Sequence, residues 1–251
     1  MTAPVLVTRP EGRGAGLVAE LNARGFEAVH SPFTEFSFET DADLRDALSD
    51  LAHGEFDWLL LTSVTTVKAL RALPEWSELP AVQEFKAAAV GEATAAAARE
   101  AGLEVETIAQ GSAASLIDVF PVNQQGGDGL AQRIFYPVSS AAAPQLELAL
   151  RMAGYDVQRE TAYRPKTIPQ PRDVVDNLAA GGFSAVVATS PMIVRALSQL
   201  AIHESTKLVV IGKPSEEAAI SVNLPVAAVA KDPSDRALAE AVAEVLGKDT
   251  E

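Results

Sequence analysis

The 251-residue chain contains no cysteine, which rules out disulfide staples, thiolate nucleophiles and cysteine-ligated zinc. Its three histidines, His30, His53 and His203, are scattered. None has a second histidine three to five residues away, so a metal site built on histidine pairs has no basis either. Long apolar runs are missing: nothing approaches the roughly 20 residues that a membrane-spanning helix needs. Met1-Thr2-Ala3-Pro4-Val5 leads straight into an apolar stretch, without the basic start and long apolar core of a secretory signal. A cytoplasmic protein is expected. Positive charge is scarce as well, and a formal net charge of -14 argues against tight binding to a nucleic-acid backbone.

What is present points to an ordinary globular protein. Hydrophobic residues make up 48% and charged ones 22%, and the length accommodates two domains that each bury a core. The chain also repeats itself. Leu6-Val7-Thr8-Arg9 leads into a helical pattern carrying Leu17, Val18 and Leu21, then Gly25-Phe26. Phe135-Tyr136-Pro137-Val138 leads into one carrying Leu146 and Leu150, then Gly154-Tyr155. The pairs share a spacing of 129 positions. Leu60-Leu61-Thr62-Ser63 with Val67-Lys68-Ala69-Leu70 matches Val187-Ala188-Thr189-Ser190 with Val194-Arg195-Ala196-Leu197, at a spacing of 127. Ala89-Val90-Gly91-Glu92 matches Val210-Ile211-Gly212-Lys213 at 121, so loop lengths differ between the copies.

Each copy alternates a short Val/Ile/Leu/Ala run, a polar or glycine turn and an amphipathic helix. That rhythm predicts a parallel sheet with helices on both faces. The expected strands are residues 5–8, 58–62, 87–90, 133–137, 185–189 and 208–211. The helical leucines, Leu197 included, are expected in the core, and Gly25, Gly102 and Gly154 fit left-handed helix C-termini. Two proline-bearing stretches, residues 31–36 and 161–169, break the rhythm and read as extended crossings between domains, paired as a two-stranded hinge. The run Gln124-Gln125-Gly126-Gly127-Asp128-Gly129 is an alternative linker that the sequence leaves open.

Several of these stretches together resemble the uroporphyrinogen-III synthase family. Val5-Leu6-Val7-Thr8-Arg9-Pro10 looks like its opening strand and turn. Leu61-Thr62-Ser63-Val64-Thr65-Thr66-Val67 is similar to its threonine-serine turn, with Thr65 and Thr66 where the family usually has asparagine and glycine. Ala89-Val90-Gly91-Glu92-Ala93-Thr94-Ala95 is similar to its most recognisable motif. Ala188-Thr189-Ser190-Pro191 and Val210-Ile211-Gly212-Lys213-Pro214-Ser215 look like the second-copy counterparts, with Ser215 in place of the usual threonine. The resemblance runs from Val5 to about Leu246.

The resemblance implies two flavodoxin-like α/β domains: residues 1–33 with 169–251, and residues 37–160, joined by hinge strands at 34–36 and 161–168, about which they would open and close. It implies a cofactor-free, metal-free, monomeric hydro-lyase that closes hydroxymethylbilane, a linear tetrapyrrole with eight carboxylates, into a ring with its last pyrrole inverted. A transient contact with the preceding pathway enzyme is a further partner to consider. Such catalysis is largely positioning, and a cleft at the carboxyl ends of parallel strands, where helix N-termini can hold carboxylates, is the expected site. Tyr163, in Thr161-Ala162-Tyr163-Arg164, matches the tyrosine proposed in the family to assist the departing hydroxyl. The expected binding residues are Thr8, Arg9, Thr62, Ser63, Val64, Gly91, Thr94, Arg164, Thr189, Ser190, Gly212 and Ser215. Helix capping is the competing role for Thr62, Ser63, Thr189, Ser190, Thr94 and Ser215. Arg9, Arg13, Lys68, Arg164, Lys166, Arg195 and Lys213 would make the local field positive despite the global acidity.

Other readings fare worse. Gly12-Arg13-Gly14-Ala15-Gly16 follows a strand, but Leu17 occupies the third glycine position of a dinucleotide fingerprint. Lys207 and Pro214 break a phosphate-loop pattern around Gly212-Lys213. The competitor of a different class is a non-catalytic two-domain paralogue that closes on a small anion as a sensor, favoured by the departures at Thr65, Thr66, Lys213 and Ser215 and by Ser139-Ser140 where the family often has a basic residue.

Overall fold

The structure, a computed structural model, describes residues 3–81, 83–109, 115–116, 119–120 and 131–247. The glycine-rich stretch 124–129 lies outside them. The elements begin with β1 (Val5–Val7), α1 (Ala15–Ala23), β2 (Ala28–His30), β3 (Thr34–Phe38), α2 (Ala42–Ala52), β4 (Trp58–Leu61) and α3 (Val64–Arg71). A 3-10 helix at Pro74–Ala81 precedes β5 (Lys86–Val90), α4 (Glu92–Glu100) and β6 (Thr107–Ala109). Then come β7 (Arg133–Ser139), α5 (Gln145–Met152), β8 (Asp156–Thr167), α6 (Arg172–Ala180) and β9 (Ala185–Ala188). The chain finishes with α7 (Pro191–Leu197), β10 (Lys207–Val210), α8 (Lys213–Ser221), β11 (Val226–Val229) and α9 (Asp235–Val245).

Two compact units result, Met1–Phe36 with Lys166–Glu251, and Ser37–Pro165. In the first, the strand order is β11-β10-β9-β1-β2, all parallel. Alternate residues face opposite ways along a strand, and the two apolar clusters follow that parity. Val5, Val7, Val187 and Val209 pack with Leu17 and Leu21 of α1 and Leu238 and Val242 of α9. Leu6, Val186, Leu208 and Val210 pack with helices α6, α7 and α8 through Leu178, Ile193, Leu197 and Ala219. Helices therefore cover both faces of the sheet, which is why the strands read as unbroken apolar runs.

The second unit holds a sheet of order β3-β8-β7-β4-β5-β6, in which β4, β5, β6, β7 and β8 pair in parallel. Trp58, Leu60, Ile134, Tyr136, Val138 and Val157 share one face and pack with Leu146 and Leu150 of α5. The chain passes from one unit to the other in β3 and returns in β8. Ile168 N–H donates to Phe33 O at 3.1 Å and Glu39 N–H to Ala162 O at 2.9 Å, so the two crossing segments run antiparallel side by side.

All six expected strands are present, with ends shifted by one or two residues. Strands β1, β4 and β9 stop one residue early, because Thr8, Thr62 and Thr189 already belong to the turns. Val18, expected in the core, is only partly buried against it. The glycine-rich run after β1 has a packing explanation. A Cβ on Gly14 would stand 2.5 Å from His30 Nε2, and one on Gly16 would stand 2.2 Å from Asp235 Oδ2. The missing side chains let His30 bond the Arg9 carbonyl at 2.9 Å and Asp235 pair with the Arg9 guanidinium at 2.5 Å. Among the described residues no helix is long and apolar enough to cross a membrane.

Candidate active site

In the first unit, three adjacent strands end together. Val7 is level with Val187, and Ala188 with Val210, so the turns Thr8-Arg9, Thr189-Ser190 and Ile211-Gly212 leave the sheet side by side. Ser190 is extended (φ -162°, ψ 158°), and its Oγ accepts the Ile193 N–H at 3.3 Å, capping α7. Gly212 starts α8 without a side-chain cap. Thr8 is fully buried, and its hydroxyl donates to Val187 O at 2.6 Å, so its side chain is committed to holding two strand ends together. Ser215, in the first turn of α8, is 1% exposed, and its Oγ has no hydrogen-bond partner among the described residues. A buried hydroxyl left unpaired costs about 1–3 kcal/mol, a deficit that a ligand group would relieve.

The second unit repeats the arrangement. Leu61 is level with Ala89, so Thr62-Ser63 and Gly91 emerge next to each other. Ser63 is extended (φ -157°, ψ 150°), and its Oγ accepts the Thr66 N–H at 3.1 Å, capping α3 ahead of Val64. Gly91 starts α4 with φ 82° and ψ 148°, a conformation that essentially only glycine adopts, and Thr94 lies buried in the first turn behind it.

One feature has no counterpart among the described residues of the first unit. Tyr163 lies on β8 level with Ser139, the last residue of β7, 9% exposed, and its hydroxyl meets Ser63 Oγ at 3.1 Å. Ser63 Oγ also meets Thr66 Oγ1 at 3.0 Å. Tyr136 lies on β7 opposite Arg159 of β8. Burial pushes the Tyr136 phenol above its ordinary value, while nearby Arg159 and the Thr62 side chain pull the other way. Arg159 is itself held by Glu147 at 3.3 Å and by the Ala142 carbonyl at 2.6 Å. The rim of this unit thus joins the hydroxyls of Ser63, Thr66 and Tyr163.

The basic residues divide. Arg9 is paired with Asp235, Arg164 with Glu39 at 3.0 Å, and Arg13 stacks over the Phe36 ring at 5.0 Å. Lys68, Lys166, Arg195 and Lys213 are exposed and form no ion pair among the described residues. The positive field expected around the turns therefore rests on this second group. Among the described residues no three His, Cys, Asp or Glu gather as metal ligands would.

Residues 15–240 match the family model described as uroporphyrinogen-III synthase HemD. The chain belongs to the uroporphyrinogen-III synthase family. It is 28% identical over 219 residues to a putative uroporphyrinogen-III synthase of Methanothermobacter thermautotrophicus, covering 85% of this chain and 84% of that protein. It is 28% identical over 205 residues to the uroporphyrinogen-III synthase of Synechococcus elongatus, covering 78% and 74%. Among solved structures, uroporphyrinogen-III synthetase from Helicobacter pylori aligns over 98% of this chain and 100% of its own, with TM-score 0.64 at 16% identity. A mutant synthase from Thermus thermophilus aligns over the same shares, with TM-score 0.57 at 21% identity. Both likenesses carry the α/β fold of parallel sheets flanked by helices.

In this uroporphyrinogen-III synthase family member the β4–α3 turn is tied to β8 through Ser63 and Tyr163. Thr66, Tyr136 and Arg159 are not among the expected binding residues. The strand period puts Tyr136 and Val138 on one face and the β8 register sets Arg159 opposite Tyr136, but a register shift after Val138 breaks the alternation before Tyr163.

Proposed function

We propose that this chain closes hydroxymethylbilane into uroporphyrinogen III with loss of water and inversion of the last pyrrole, as a hydro-lyase acting without a cofactor. The observation that carries the reading is the Tyr163 hydroxyl seated on Ser63 at a strand-end rim, in a chain that matches the family over residues 15–240. Tyr163 donates its hydrogen bond to the hydroxyl leaving the bilane, which departs as water and leaves an electrophilic azafulvene. The substituted carbon of the last ring attacks, and the resulting spiro intermediate fragments and recloses inverted.

The remaining work is orientation. N–H groups at the starts of α3, α4 and α8 are suited to the substrate carboxylates, with Val64, Gly91, Thr94, Gly212 and the unpaired Ser215 hydroxyl at those turns. Thr62, Thr189 and Ser190 flank them. Lys68 and Lys213 add mobile positive charge. Thr8, Arg9 and Arg164 contribute through main chain and shape, since their side chains are engaged within the fold. The reading carries with it a cytoplasmic, monomeric enzyme.

Expression in a bacterial strain deleted for its own synthase tests the proposal. Growth without added haem is expected, with the protein detected by immunoblot. Abundant, folded protein that leaves the strain haem-dependent would count against it.

A further inference from the structure

We infer that Thr66 is a positioning residue that fixes the direction of hydrogen bonding at Tyr163, through Ser63. The inference rests on the reading of Tyr163 given above.

The argument is a count of protons. Thr66 is fully buried, and the acceptor the structure provides for its hydroxyl is Ser63 Oγ, 3.0 Å away. A buried hydroxyl that donates to nothing costs stability, so the Thr66 proton belongs on Ser63. Ser63 Oγ has two lone pairs and one proton. One lone pair receives the Thr66 N–H at 3.1 Å and the other the Thr66 hydroxyl. Its own proton is then directed at the remaining neighbour, the Tyr163 oxygen at 3.1 Å. Tyr163 enters as an acceptor from Ser63 and directs its own O–H elsewhere.

This polarity suits a proton donor. As Tyr163 gives its proton toward the departing hydroxyl, negative charge grows on the phenol oxygen, where the Ser63 proton already points. Without the Thr66 hydroxyl, Ser63 can rotate to accept from Tyr163, and the phenol proton is diverted from the substrate. Ser190 in the first unit caps α7 as Ser63 caps α3, yet the third helical residue after it is Ile193, which has no hydroxyl. The relay is confined to the unit that holds Tyr163.

The test measures kcat and KM for uroporphyrinogen III formation from hydroxymethylbilane in four proteins: Thr66→Val, Thr66→Ser, Tyr163→Phe and Thr66→Val with Tyr163→Phe. Thr66→Val is expected to lower kcat roughly three- to tenfold at unchanged KM, about the strength of one redirected hydrogen bond. Thr66→Ser is expected to keep the wild-type rate. In the Tyr163→Phe background the valine should cause no further loss. Circular dichroism and melting verify the fold, and Thr66→Ala, which cannot overpack the site, takes its place should the valine protein melt early. The proposal is overturned by an unchanged kcat in Thr66→Val, or by the same fold-loss with and without Tyr163. A Tyr163→Phe protein that retains the full rate overturns the reading of Tyr163 itself, and this proposal with it.

Discussion

Ser63 and Ser190 cap equivalent helices with the same geometry, and replacing each by alanine separates capping from what Ser63 does besides. Loss of a serine cap costs about 1 kcal/mol. For a unit of this size, with an unfolding entropy of about 2.1 cal/mol/K per residue, that lowers the melting temperature by roughly 4 °C. Ser190→Ala should show that and little more. Ser63→Ala also strands the hydroxyl of Thr66, which is fully buried and bonded to it at 3.0 Å. An orphaned buried hydroxyl adds about 1–3 kcal/mol, giving a total near 3 kcal/mol and a shift of roughly 12 °C. Scanning calorimetry of the two variants reads the difference directly. Removing the stranded hydroxyl as well should recover part of the loss, because deleting both partners of a buried hydrogen bond costs less than deleting one. The double variant of Ser63→Ala with Thr66→Val should thus melt above Ser63→Ala alone. Equal melting losses at the two serines, or no recovery in the double variant, would refute the wiring assigned to this turn.

Three further outcomes follow from the structure. Gly91→Ala should destabilise by about 1–3 kcal/mol, because its φ of 82° disfavours any side chain, whereas Gly212→Ala, at an extended φ of 169° with open space around it, should be nearly neutral in denaturant titration. Burial raises the phenols of Tyr136 and Tyr155, so the stability they lend is complete below the unfolded value of about 10 and fades as pH climbs from there through their folded values. Denaturation midpoints should fall above that pH, less steeply in Tyr136→Phe. Burial, with help from Asp43 and Asp41, raises the Glu160 carboxyl against the opposing bond from Gln158. Its contribution is therefore intact below about pH 4 and lost as pH rises through the folded value. Glu160→Gln should melt higher than wild type at pH 7 and level with it at pH 3, and a lower melting temperature at pH 7 would contradict this assignment.

Strands β4, β5, β9 and β10 were visible in the sequence as runs of four apolar residues, because parallel strands covered on both faces have no polar side, whereas interior β8 is polar along most of its length. The strands that were missed, β2, β6 and β11, are all sheet edges. Ala28, Val29 and His30 are only partly buried, as are three of the four residues of β11, so neither stretch needs a distinctive apolar pattern. The crossings at Thr34–Phe38 and Asp156–Thr167 were legible through the backbone restriction of Pro32, just before the first, and Pro165, within the second, though not the full length of the second. At the site, the turn residues could be found because the duplication marks both copies. What the duplication could not show is where the copies differ. Tyr163 reaches Ser63 across 100 positions, a contact that the strand order β8-β7-β4 brings about. Charge was the weakest inference: Arg9 and Arg164 sit where the sequence put them, but acidic partners distant in the chain, Asp235 and Glu39, neutralise them.

The most direct test of the whole account supplies the purified protein with freshly made hydroxymethylbilane, oxidises the products and resolves the uroporphyrin isomers by chromatography. The account predicts that isomer III predominates and that its share falls toward the uncatalysed mixture in Tyr163→Phe. A product consisting of isomer I alone, formed no faster than in buffer, would show that the chain binds without inverting the ring.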